Sequence, residues 1–216
     1  MSINVEDIKD LGEKHSVYGK KLLEDANGKL YPCHALYLSV LNRSYELYIG
    51  FITLAEIDNY GCCVALFRMQ LDNVLRFYGV LNTADIHETA NQIFNGVKLS
   101  KIKSKKGEYL KDFHLKELFS ENNSWVNRAY DVASGYIHLS DHHIFHMLKK
   151  TKDEGGGEKS FYIAATAEHV DNQHKNELVQ AFKSVTNGVF AILSEFQRLN
   201  SQYQPSQLEA KYAVYT

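Results

Sequence analysis

Residues 58–81, DNYGCCVALFRMQLDNVLRFYGVL, decide how the rest of the chain must fold. The stretch holds no proline and reads as a helix to about Leu81, with Asp58 positioned to cap its N-terminus. Cys62, Ala65, Leu66, Met69, Val74, Leu75 and Tyr78 cover more than one helical face, so the helix is expected to be central, with partners on several sides. Three charged residues interrupt this apolar surface. Arg68, Asp72 and Arg76 follow one another at four-residue spacing and project from one face, where they can form a ladder of ion pairs. Such a ladder either fixes helix register or presents guanidinium forks to an anion or phosphate.

Outward from this helix the pattern is again helical. Ile8, Leu11, His15, Tyr18 and Leu22 recur at helical spacing and predict an amphipathic helix over 4–25, ended by Asn27 or Gly28 in a left-handed cap. Pro32 fits the first turn of a helix extending to about residue 56. A shorter helix is expected from Asp85, with Thr83 as the other possible cap, to around Gly96. One or two turns follow over 113–119, and Asn123 or Ser124 can cap a helix running through Ile137. Leu178, Phe182, Val185, Val189, Ile192, Phe196 and Leu199 mark a long helix over 172–200, and the tail after Pro205 is expected to fray. Between these helices HIFHMLKK and KSFYIAAT flank the loop TKDEGGGE, which predicts a small antiparallel hairpin near 143–165. The expected fold class is all-α: a helical bundle of five to six main helices with a β-hairpin insert, as one domain over 1–216.

Bulk properties narrow the function classes. With 44% hydrophobic and 23% charged residues the chain is not disordered, and a net charge of −2 leaves any nucleic-acid binding to local patches. Cys33, Cys62 and Cys63 form neither a disulfide framework nor a zinc set, which suits a reducing, cytoplasmic setting. Residues 1–20 lack the apolar core of a signal peptide, and no run approaches the roughly 18 apolar residues of a membrane span.

Three further groups of residues could carry chemistry. Asn127, Asp131, Ser134 and His138 share a helical stripe, with Tyr130 beside Ser134. A histidine at a helix C-terminus gains proton affinity from the macrodipole and can act as acid or base, or it can simply close the helix on a carbonyl. A serine-hydrolase triad of Asp131, Ser134 and His138 is disfavoured, because one helix offers neither a nucleophile elbow nor an oxyanion hole, and a mid-helix serine bonds back to the preceding turn. His138, His142, His143 and His146 lack the carboxylate or cysteine that would complete a metal set, apart from nearby Asp141, so neither a metal nor another cofactor is expected. The lysine run over 98–106, with Lys101, Lys103, Lys105 and Lys106, is either a solvated connection or a surface for a phosphate backbone, to which Arg128 could add.

FRMQLDNVLRFYG (67–79) and YDVASGYIHLS (130–140), the second with its tyrosine–serine–histidine ending, together resemble the HEPN superfamily, helical-bundle domains of bacterial toxin and antiviral-defence systems. The resemblance implies a homodimer and metal-independent RNA cleavage, with His138 moving the proton at the 2′-hydroxyl or leaving oxygen. In that superfamily an arginine lies four to six residues before the histidine, whereas Arg128 lies ten before His138, nearly three helical turns away. The resemblance therefore assigns the phosphate clamp to Arg68 or Arg76 on the packed helix, with Asp72, Asn127, Asp131 and Ser134 as polar support. Relatives of such domains also include non-catalytic modules, so a protein- or nucleotide-binding role with a structural His/Arg core is the alternative.

Overall fold

The computed structural model describes residues 3–121, 123–137, 144–145, 148, 151–161 and 163–214. Among them the chain is predominantly helical. Its helices are α1 (Leu11–Asp25), α2 (Pro32–Glu56), α3 (Tyr60–Leu81), α4 (Ile86–Phe94), α5 (Asp112–Ser120), α6 (Trp125–Ile137), α7 (Asn172–Asn200) and α8 (Pro205–Lys211). Two 3₁₀ turns, Glu6–Ile8 and Leu99–Lys101, and a two-stranded sheet of β1 (Thr151–Gly155) and β2 (Glu158–Phe161) complete the described elements.

The helix read as central is central. α3 packs against α2, α4, α5, α6 and α7, and buries Phe67, Leu71, Val74, Leu75 and Phe77. Phe51 of α2 stacks on Phe182 of α7 with ring centroids 4.0 Å apart, beside one continuous apolar core. A polar chain crosses that core: His15 Nε2 lies 2.9 Å from Ser44 Oγ, and Gln70 Nε2 donates to both Ser44 Oγ and Thr186 Oγ1. Four helices are thereby tied through buried side-chain hydrogen bonds, each worth a net of about 0.5–1.5 kcal/mol, although Gln70 Oε1 accepts none.

Close approach of α5 to α3 depends on Gly79. A Cβ added there would collide with Leu115, itself 1% exposed. Gly79→Ala is expected to destabilise the protein by about 1–2 kcal/mol, since overpacking outweighs the gain in helix propensity. Urea unfolding checks this; a stabilised variant would mean that the α3–α5 contact yields freely.

Several local expectations are corrected. α1 begins at Leu11, and the residues before it form a separate 3₁₀ turn. Asn27 and Gly28 both take positive φ at its end, 48° and 72°. Asp58 does not cap α3. Asn59 does, accepting from Cys62 N–H, while Asp58 at φ 56° turns its carboxylate inward to Lys175. The first strand is not the apolar segment HIFHMLKK but residues read as the loop, whereas the second begins at Glu158 and continues into the expected segment through Phe161. Gly155, Gly156 and Gly157 all have positive φ, so the chain reverses tightly there and pairing starts immediately beside the turn, Gly155 opposite Glu158 and Thr151 opposite Phe161. Ile144 and Phe145 are helical. The tail after Pro205 is not frayed: α8 docks through Leu208 and Tyr212 against Tyr31, and Lys211 pairs with Asp85 at 3.0 Å. No helix among the described residues is long and apolar enough to cross a membrane.

Candidate functional site

The seam between α3 and α6 gathers most of the residues singled out above. Four-residue spacing turns Arg68, Asp72 and Arg76 to one side of α3, and α6 meets that side at Arg68. Arg68 is 9% exposed, and its guanidinium sits 3.5 Å from the centroid of the Tyr130 ring. Its Nε donates to Ser134 Oγ at 3.1 Å, and its Nη1 lies 3.7 Å from Asp72 Oδ1. A cation over an aromatic face, shielded from water, is a favourable arrangement. Ser134 in turn donates to the Tyr130 carbonyl at 2.7 Å, the back-bond expected of a serine inside a helix. This hydroxyl is engaged as both donor and acceptor and is no poised nucleophile.

Arg76 is the more open member of the ladder, with its side chain 45% exposed. Nε donates to Asp72 Oδ2 at 2.7 Å and Nη2 to Asp112 Oδ1 at 3.0 Å. Burial pulls against its charge, but the Asp72 bond and the Asp112 carboxylate outweigh this and keep the pKa raised. Burial pushes the Tyr130 hydroxyl pKa up, while the Arg68 charge opposes that shift. The two guanidinium charges face two carboxylates, so the ladder itself is balanced.

The stripe on α6 is divided between neighbours. Ser134 and Tyr130 face α3, but Asp131 pairs with Lys116 of α5 at 3.0 Å and Asn127 donates to Ser120 Oγ at 3.2 Å. Asn127, Asp131 and Ser134, read as one stripe, are thus divided between α3 and α5, and Asp131 and Asn127 support α5 rather than the arginine site. Asp112 and Lys116, which complete the network, were not singled out in the sequence; their only signal was their place in a short helix of uncertain partners.

Arg128 is also separated from the ladder. It lines a groove of about 900 Å³ among α3, α6 and α7, with Trp125, Val132 and His174. The lysine run forms a turn anchored by buried Ile102 and Ser104, with Lys105 N–H donating to the Asn82 carbonyl. Lys101, Lys103, Lys105 and Lys106 are all exposed. Lys106 Nζ lies 4.0 Å from Glu121, and Lys103 Nζ lies 5.1 Å from the Tyr109 ring. None of the four lines the groove that Arg76 lines. His138 follows Ile137, the last residue of α6, and with Asp141, His142, His143 and His146 lies outside the described residues. All three cysteines are free: Cys62 is exposed, Cys33 and Cys63 are buried, and burial raises the thiol pKa of Cys63 to about 12. Comparison with protein-family models, curated proteins and solved structures finds no match to this chain.

Proposed function

We propose that the protein is a HEPN-like RNA-binding protein of a bacterial toxin or defence system, with His138 as the acid/base of a metal-independent cleavage and Arg76 as its phosphate clamp. The carrying observation is that Arg68 fastens the Tyr130–Ser134 face of α6 to the arginine-bearing face of α3. The helix leading into His138 is thus seated beside an arginine pair from another helix, which offsets the distant placement of Arg128. Within this pair the roles divide by access. Arg68 is buried and engaged by Tyr130, Ser134 and Asp72, so it is a positioning residue; Arg76 is half-open and can exchange a carboxylate for a phosphate oxygen. The reading includes a bundle of five to six main helices and a homodimer.

The test is cleavage of mixed cellular RNA in EDTA by wild type, His138→Ala and Arg76→Ala, with filter binding at two salt concentrations. Wild type is expected to cut, and His138→Ala to lose about 10²–10⁴-fold, the usual contribution of a general acid or base. Arg76→Ala should weaken RNA binding and lower the salt slope by about one. Equal cutting by wild type and His138→Ala would sink the catalytic assignment.

One observation favours the second reading, a non-enzymatic module that binds a protein or nucleotide. Asp72 and Asp112 balance both arginine charges, as in a network that only sets helix register. Absence of both cutting and salt-dependent RNA binding would select it.

A further inference from the structure

Arg76 also lines a groove of about 530 Å³ that opens between α2, α3, α4 and the segment that follows α4. Its volume is that of a small-molecule site. Leu36 and Val40 form one wall, Val80 another, and Ile93, Val97 and Leu99 the third. The polar lining carries Arg43 on α2, Arg76 with the Asp72 carboxylate that pairs with it on α3, and Lys98 after α4. Arg76 is balanced within the ladder, whereas Arg43 and Lys98 are both exposed and have no ion-pair partner among the described residues. Two uncompensated positive charges therefore overlook a hydrocarbon-lined trough.

We propose that this groove binds an amphipathic phosphomonoester, its head group held by Arg43 and Lys98 and its apolar body lying along the aliphatic walls. Charge decides the head: a phosphomonoester carries about −1.5 to −2 at neutral pH, which matches two free cations, and the Arg43 fork suits two phosphate oxygens. Shape and chemistry decide the body. Among the described residues Phe77 is the one aromatic lining the groove, and at 1% exposure it opens no ring face to stack a nucleobase. Branched aliphatic side chains instead favour a hydrocarbon chain, whose burial contributes roughly 25 cal/mol per Å². The inference does not depend on RNA binding at the α3–α6 seam, since neither Arg43 nor Lys98 is assigned there.

Isothermal titration with n-octyl phosphate, 1-octanol and inorganic phosphate separates the sources of such binding. Octyl phosphate is expected to bind with a Kd on the order of 0.1 mM, within the ligand efficiency of a small amphiphile, and each of the other two at least about tenfold more weakly. Combined Arg43→Ala and Lys98→Ala substitutions, both at exposed positions, should weaken octyl phosphate about tenfold or more and leave octanol unchanged. Val97→Glu, which adds a carboxylate to the groove wall, should have a similar effect. Octanol binding as well as octyl phosphate would reduce the groove to an apolar surface, and phosphate binding as well would reduce it to a surface charge effect. Either result overturns the proposal, as does unaltered binding by the double variant or no octyl phosphate binding at 5 mM, about fiftyfold above the expected Kd.

Discussion

Lys175→Met is expected to destabilise the protein by about 3–5 kcal/mol, the cost of leaving a buried charge without its counter-ion. The Lys175 and Asp58 side chains are 3% and 9% exposed, and Nζ lies 2.7 and 2.8 Å from the two carboxylate oxygens. Asp58 also accepts from the Ala167 backbone, so the pair joins the α2–α3 corner to the chain entering α7. The lysine sits in the first turn of α7, where the helix dipole disfavours a cation, and the Asp58 carboxylate opposite offsets this. Adding Asp58→Asn to Lys175→Met should restore much of the loss, because it removes the stranded charge, and asparagine tolerates the positive φ at that position. Urea unfolding of both variants checks this. A single-variant loss below about 1 kcal/mol, the scale of a surface pair, would show that the pair is solvated in solution.

Acid should produce the second large effect. His34 and His87 are 4% and 0% exposed with ring centroids 5.5 Å apart, and the N–H groups of Tyr31 and Cys33 donate to their Nδ1 atoms. Burial, and then the neighbouring His87 ring, lower the pKa of His34 to about 4; burial also lowers those of His87 and His15. The folded state thus resists protons that the unfolded chain takes up near pH 6.5, so stability rises with pH between these values. The folded state keeps this stability in full above about pH 6.5 and loses it as pH falls toward 4. His34 alone should cost about 2 kcal/mol at pH 5, with further loss from His87 and His15. Unfolding free energies that stay flat between pH 7 and pH 5 would contradict the assignment.

These two effects come from residues that sequence patterning could not rank. His34 and His87 occupy different helices, 53 positions apart, and Asp58 and Lys175 are further apart still. Nothing within either segment signals the pairing. The seam was more legible: Arg68, Asp72 and Arg76 at helical spacing, and Tyr130 and Ser134 at theirs, identified two polar stripes before any geometry was known. That Arg68 would join them, that Asp131 would turn to Lys116, and that Arg128 would face another groove depended on how α5 and α7 flank α6.

The sequence by itself determined the helical class, the central place of α3, and most helix boundaries, because these follow from local periodicity and capping chemistry that a few neighbouring residues specify. The hairpin was foreseen but its first strand was displaced, since a glycine turn sets register from the inside outward, while apolar content only suggests which segments want burial. The tertiary structure alone decided which polar side chains are buried, which charges cancel, and which, at Arg43 and Lys98, have no ion-pair partner among the described residues. Those outcomes are pairwise and long-range. Each depends on which helix faces bring distant residues within a few ångströms, and a one-dimensional pattern does not encode that distance.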